Sequence, residues 1–170
     1  GEGGHRLDGR IRPAGNKIAA LPCLAATVLT SDPVHLANIP RIRDVETFLD
    51  IIRSLGAEVT WQGDNEVTVD AAGIRRDSID GDLAKLIRAS VLLAGPLLTR
   101  FGQVHLPPPG GDIIGRRRMD THFLAFEALG AEVSLNEGFT IEAEQLKGTD
   151  LFLDEPSVTG TENAIMAAVR

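Results

Sequence analysis

Leu55-Gly56-Ala57-Glu58-Val59 returns later in the chain as Leu129-Gly130-Ala131-Glu132-Val133. Each copy follows a stretch of helical periodicity and precedes two short alternating segments. Glycine accepts the left-handed backbone that closes a helix, so each copy marks a helix end turning directly into a hairpin. The second copy makes this an internal repeat, and the repeat decides how the chain is built.

Upstream of the first copy, Val45, Phe48, Leu49, Ile51, Ile52 and Leu55 share one broad apolar helix face, with Asp44 the expected N-cap. Residues 57–61 and 66–69 read as strands around the turn Gln62-Gly-Asp-Asn65, and residues 34–39 alternate like a strand. Before them, residues 7–13 read as a short strand ending at Pro13, and residues 17–29 as an apolar helix with Pro22 in its first turns. The second copy has the same surroundings. Asp82 is expected to cap a helix over 83–101, residues 103–106 form a strand, and Asp120 opens a helix that ends at Leu129-Gly130. Residues 131–135 and 139–143 then form the hairpin. A third unit begins with a strand over 149–154, a turn over 156–160 and a helix from Thr161. The sequence has no initiating Met and stops inside that helix without a glycine or proline, so a fragment is expected.

The helices over 17–29, over 83–101 and from Asn163 are apolar nearly all round, which predicts burial inside a domain. The strands alternate and pair as hairpins, which speaks against a parallel sheet with helices outside. The expected fold class is α+β: repeated helix/strand/helix/hairpin units with buried central helices and outer sheets, in an inside-out arrangement. The units run over about 14–70, 82–144 and an incomplete 149–170.

Composition narrows the function classes. Seventeen basic against 24 acidic residues give a formal charge of -7, which argues against non-specific nucleic-acid binding. The longest apolar runs, 18–29 and 89–98, are too short for a bilayer span and contain proline. No signal-peptide pattern is present, and a single cysteine, Cys23, fits a reducing cytoplasm. Cys23 lies in an apolar helical run and is expected to be buried. His5, His35 and His105 show no metal-ligand spacing, and nothing calls for a cofactor.

Chemistry concentrates in Pro107-Pro-Pro-Gly-Gly-Asp-Ile-Ile-Gly-Arg-Arg-Arg-Met-Asp-Thr-His122. Glycines free the backbone and prolines remove strand donors, so the stretch reads either as a catalytic lid or as an irregular solvated loop. Adjacent arginines suit an anionic ligand, because guanidinium groups bind phosphate and carboxylate bidentately.

Five motifs in register then resemble the UDP-N-acetylglucosamine enolpyruvyl transferase family of peptidoglycan synthesis. They are Gly15-Asn-Lys-Ile-Ala-Ala-Leu-Pro22, Leu86-Ile-Arg-Ala-Ser90, Gly95-Pro-Leu-Leu98, residues 106–115 with Asp120 and His122, and Pro156-Ser-Val158 with Thr161-Glu-Asn163. The resemblance implies an inside-out α/β barrel of the enolpyruvyl transferase type, truncated here. Residues 14–170 would belong to that domain, and residues 1–13 to a strand that packs with the family's other domain. It also implies transfer of the enolpyruvyl group of phosphoenolpyruvate to the 3-hydroxyl of UDP-N-acetylglucosamine, with release of phosphate. Lys17, Arg88 and Arg117 match the family's cations for phosphoenolpyruvate. Asp112 matches the loop-tip proton donor, which is cysteine in many members and the target of fosfomycin there. Arg118, Met119, Asp120, Thr121, His122, Ser157 and Val158 match its nucleotide-contacting segments.

Structural alternatives stand beside these roles. Lys17 opposes the helix dipole at its position, so stabilisation explains it poorly. Arg88, in an apolar helix, needs either an anion or a carboxylate of the chain. Asp112 is also compatible with an ordinary turn, Asp120 with a helix N-cap, His122 with a packed helix residue, and Arg116 and Arg118 with solvation. Two departures from the family pattern bear on the substrate. Ile18 stands where the family has asparagine, removing an amide that helps fix the substrates, and Thr159-Gly160 stands where it usually has Gly-Ala. Three readings follow: the enolpyruvyl transferase or its N-terminal part, a related transferase with another hydroxyl acceptor, or a non-catalytic module that binds a nucleotide sugar or partner. The family's general base lies in the half that is not in this sequence, so the chain alone is expected to be inactive.

Overall fold

The structure, a computed structural model, describes residues 3–6, 8–75, 77–108, 110 and 119–169. The first unit comprises α1 (Lys17–Ala26), a 3-10 turn over Thr27–Leu29, β1 (Val34–Ala37), α2 (Arg43–Ser54), β2 (Glu58–Trp61) and β3 (Glu66–Asp70). The second comprises α3 (Gly81–Ala84), a 3-10 segment over Arg88–Leu93, α4 (Ala94–Phe101), β4 (Gln103–Leu106), α5 (Asp120–Ala128), β5 (Glu132–Leu135) and β6 (Phe139–Glu142). α6 (Val158–Ala168) follows.

The repeat is realised twice in the same topology. Each unit forms a three-stranded antiparallel sheet with the last strand in the middle, β1-β3-β2 and β4-β6-β5. Val69 lies between Val34 and Val59, and Ile141 between Val104 and Val133. Val67 and Val69, two positions apart, face the core, as do Val104 and Ile141, with Val59 and Val133 packed against it. Gly56 and Gly130 hold φ of 113° and 92° at the ends of the two repeated helices, where a side chain would be strained. The structure is α+β, and the described residues form no closed barrel.

Helix starts differ from expectation in instructive ways. α2 begins at Arg43 with Ile42 as N-cap, so Asp44 lies in the first turn rather than at the cap. Asp80, not Asp82, caps the next helix, its side chain accepting from Asp82 N and Leu83 N. The long helix over 83–101 is three pieces: α3 stops at Ala84, Ile87 is extended, and regular α-helix resumes only at Ala94. Pro96 has no N–H for the carbonyl of Leu92, so a continuous α-helix could not close there. Pro22 lies past the first turn of α1 and likewise leaves Ile18 O without a helical donor.

Residues 8–13 and 149–154 form no strand, contrary to expectation. Neither stretch lies beside a described strand edge, and a strand without a partner leaves its amides and carbonyls unpaired. The helix after residue 154 begins at Val158, three residues earlier than expected.

α4 is the best-covered helix, with Ala94 to Leu98 all buried. It packs on α6, the 27–29 turn, the 88–93 segment and β4. α1 and α6 are covered on one side only. Ile18 is 65% and Ile165 60% exposed, and Cys23, expected to be buried, lies on the open side of α1. α1 turns Leu21, Leu24 and Ala25 inward, and the helical period places Cys23 away from them. None of the described helices is long and apolar enough to cross a membrane.

The α4–α6 crossing depends on a missing side chain. A Cβ on Gly95 would stand 2.7 Å from Asn163 O and 3.3 Å from Met166 Cβ. Gly95→Ala is therefore expected to force the helices apart and cost about 1–3 kcal/mol, read as a lowered midpoint in a circular-dichroism melt. An unchanged midpoint would mean that the crossing tolerates a methyl group.

Candidate functional site

Two helix N-termini lie side by side. α5 starts with Asp120-Thr121-His122 and α6 with Val158-Thr159-Gly160, and the helices pack together. Ser157 is the N-cap of α6, its Oγ accepting from Gly160 N at 3.1 Å. Its neighbour Val158 is 66% exposed. Asp120 is the first residue of α5 rather than its N-cap; Met119 holds that place and makes no side-chain cap bond. A carboxylate in the first turn suits the positive end of the helix dipole. The two starts are tied together: Thr121 Oγ1 donates to Glu155 Oε1 at 3.2 Å, and Thr159 Oγ1 lies 3.2 Å from His122 Nε2.

His122 is 2% exposed, with both ring nitrogens engaged. Its Nδ1 lies 2.9 Å from Asn163 Nδ2, itself fully buried. The orientation of that amide is settled by its other partners, since Oδ1 accepts from Gly95 N and Nδ2 donates to Val91 O, both at 2.9 Å. An amide nitrogen can only donate, so His122 Nδ1 accepts and the ring is neutral with its hydrogen on Nε2. Burial first, and the charge of Arg88 second, pull the His122 pKa down to about 4. His122 is thus a packed helix residue that braces the site.

Arg88 opens the 3-10 segment that packs against both α1 and α6. Lys17 is the first residue of α1, with Nζ 2.7 Å from Asp44 Oδ2 and both side chains nearly half exposed. Such a surface pair contributes little to stability. Met119 and Pro107, from the two ends of the Gly-rich loop, line a small depression floored by Ile79, Leu106 and Phe139. Asp112, Arg116, Arg117 and Arg118 lie outside the described residues. The structure therefore brings together Thr121, His122 and the Ser157–Thr159 turn, flanked by Asp120, and leaves Lys17 on a separate element.

Asn163, Glu155 and the hydroxyl of Thr159 were not singled out from the sequence as site-forming residues. One signal was available: Asn163 is the polar residue that starts the apolar run Ala164-Ile-Met-Ala-Ala-Val169. Among the described residues no group of three or more His, Cys, Asp or Glu side chains could hold a metal ion.

Residues 2–170 match the EPSP synthase (3-phosphoshikimate 1-carboxyvinyltransferase) family. The chain is 58% identical over 168 residues to the UDP-N-acetylglucosamine 1-carboxyvinyltransferase of Bradyrhizobium diazoefficiens, covering 99% of this chain and 39% of that protein. Its counterpart in Treponema pallidum is 52% identical, with 99% and 40% covered. The chain thus spans about two fifths of the length of these relatives. Among solved structures, the enolpyruvyl transferase NikO from Streptomyces tendae superposes with a TM-score of 0.78 at 24% identity, over 97% of this chain and 39% of that one. EPSP synthase from Acinetobacter baumannii gives 0.72 at 18% identity, over 94% and 37%.

Neutral His122 makes stability depend on pH. Its folded pKa of about 4 lies below the ordinary 6.5, so the unfolded chain binds more protons between these values. The contribution is complete above about pH 6.5 and is lost as pH falls toward 4, by about 3 kcal/mol in all. Glu162, whose carboxyl burial pushes up, contributes in the opposite sense as pH rises. Urea unfolding at pH 7, 5.5 and 4.5 is expected to show falling stability for the wild type and a flatter profile for His122→Gln.

Proposed function

The chain belongs to the EPSP synthase family, and on that footing we propose that it is part of an enzyme that transfers the enolpyruvyl group of phosphoenolpyruvate to the 3-hydroxyl of UDP-N-acetylglucosamine, for peptidoglycan synthesis in the cytoplasm. The observation that carries this reading is 58% identity over 99% of the chain to a UDP-N-acetylglucosamine 1-carboxyvinyltransferase. The paired starts of α5 and α6 support it, because helix N-termini present unpaired N–H groups to an anionic group such as a diphosphate.

The reaction needs fixed positive charge and one proton donor. Lys17, Arg88 and Arg117 hold the phosphate and carboxylate of phosphoenolpyruvate. Asp112 gives a proton to the methylene carbon as the sugar oxygen bonds to the neighbouring carbon. Loss of that proton and of phosphate from the resulting adduct leaves the enol ether. Arg118, Met119, Asp120, Thr121, Ser157 and Val158 form the nucleotide side, with His122 behind them. The remaining phosphoenolpyruvate contacts and the general base come from the second half of the enzyme, so the 170-residue chain alone does not turn over.

A second reading, transfer to another hydroxyl acceptor, is favoured by Ile18. This side chain is 65% exposed beside Lys17 and has no hydrogen bond to offer an amide or hydroxyl of the sugar. Calorimetry with UDP-N-acetylglucosamine and a phosphate-release assay separate the two: the complete protein is expected to bind the nucleotide and release phosphate only when both substrates are present. Phosphate release with phosphoenolpyruvate and a different alcohol, without nucleotide binding, would favour the second reading. Lys17→Met is expected to lower turnover by about 100-fold or more.

A carboxylate is a far poorer nucleophile than a thiolate toward an epoxide. The complete enzyme is therefore expected to retain activity in fosfomycin. Inactivation at low fosfomycin concentration with a covalent adduct on Asp112, seen by peptide mass spectrometry, would overturn that expectation.

A further inference from the structure

Between the starts of α5 and α6 runs a line of hydrogen bonds that leads from α6 through α5 to the 88–93 segment. Thr159 Oγ1 meets His122 Nε2 at 3.2 Å, His122 Nδ1 meets Asn163 Nδ2 at 2.9 Å, and Asn163 joins Val91 O and Gly95 N. Val91 belongs to the segment that Arg88 opens. The line therefore starts one residue from exposed Val158, passes behind Asp120 and Thr121, and ends three residues from Arg88.

The residue pair at its outer end fits this arrangement. Thr159 supplies the hydroxyl that accepts from His122. At Gly160 a Cβ would stand 2.9 Å from Ser157 Oγ and 3.1 Å from Ser157 Cβ, so the absent side chain leaves room for the Ser157 cap. Thr159-Gly160 thus adds a bond to α5 and clears space for the cap beside it.

We propose that Thr159, acting through His122 and Asn163, is a positioning residue that sets the placement of Ser157 and Val158 relative to Asp120 and so tunes affinity for the nucleotide acceptor. It touches no substrate itself. The proposal rests on the acceptor reading above, and its test separates the two.

In the complete protein, Thr159→Val keeps the shape and removes the hydroxyl, while Thr159→Ser keeps the hydroxyl. At a temperature where all variants are folded, Thr159→Val is expected to weaken UDP-N-acetylglucosamine binding by about 3- to 10-fold and raise its KM by a similar factor. The KM for phosphoenolpyruvate changes less, and Thr159→Ser restores wild-type values. Without ligand, the Gly160 and Thr161 amides, bonded to Ser157 Oγ and Ser157 O, are expected to exchange faster in Thr159→Val while the α4 amides do not. Unchanged affinity in Thr159→Val, or equal loss in the serine variant, overturns the inference. Unchanged exchange at Gly160 and Thr161 overturns it whatever the ligand. Failure of the wild type to bind the nucleotide, with the exchange difference intact, overturns only the acceptor reading and leaves the strut standing.

Discussion

The carboxamide of Asn163 occupies the gap in a broken helix. In a continuous α-helix the N–H of Gly95 would bond to the carbonyl of Val91; here both groups bond to the amide of Asn163, each at 2.9 Å, and the Val91 carbonyl also accepts from Ala94 N. Pro96 removes the next bond, so the 88–93 segment winds as a 3-10 helix and the α-helix restarts at Ala94. Orphaned backbone groups at such depth would cost about 1–3 kcal/mol each. Asn163 meets this need and, with the remaining hydrogen on Nδ2, fixes the tautomer of His122. Three elements, α4, α5 and α6, are thereby registered by one side chain.

That registration brings two helix starts together in an acidic chain of net charge -7. The charge is unfavourable at long range, so an anion must be held by local dipoles and cations. Side-by-side starts of α5 and α6 provide the dipoles. Burial first, and the nearby charge of Arg88 second, disfavour protonation of His122 and keep the brace neutral. Lys17 has a surface carboxylate, Asp44, as its present counter-ion. A pair so exposed is weak and exchangeable.

The architecture is modular up to the third unit. Two sheets share one strand order because each hairpin adds its second strand between its partner and the earlier strand of the same unit. Residues 149–154 have the composition of a strand but pair with no described strand. The open faces of α1 and α6, with Ile18, Cys23 and Ile165, reflect the same fact, since a helix is covered only where another element lies against it.

Periodicity alone was enough for the repeat, both hairpins, the amphipathic α2 and the α+β class, because these depend on neighbours within a few residues. Resemblance supplied the site residues, and several of them, Asp112, Arg117 and Arg118, lie outside the described residues. What the sequence did not disclose depended on contacts between distant positions. The bonds that bridge the break in the 83–101 stretch and the exposure of Cys23 follow from what packs against each segment, whereas the cap at Asp80 in place of Asp82 is local. Most of all, Asn163, 72 residues from Val91 and 41 from His122, has no local partner that would mark its role. The chain by itself determined the repeat, its two hairpins and the amphipathic α2; only the tertiary structure decided which buried polar group answers which, because that matching is made across the core.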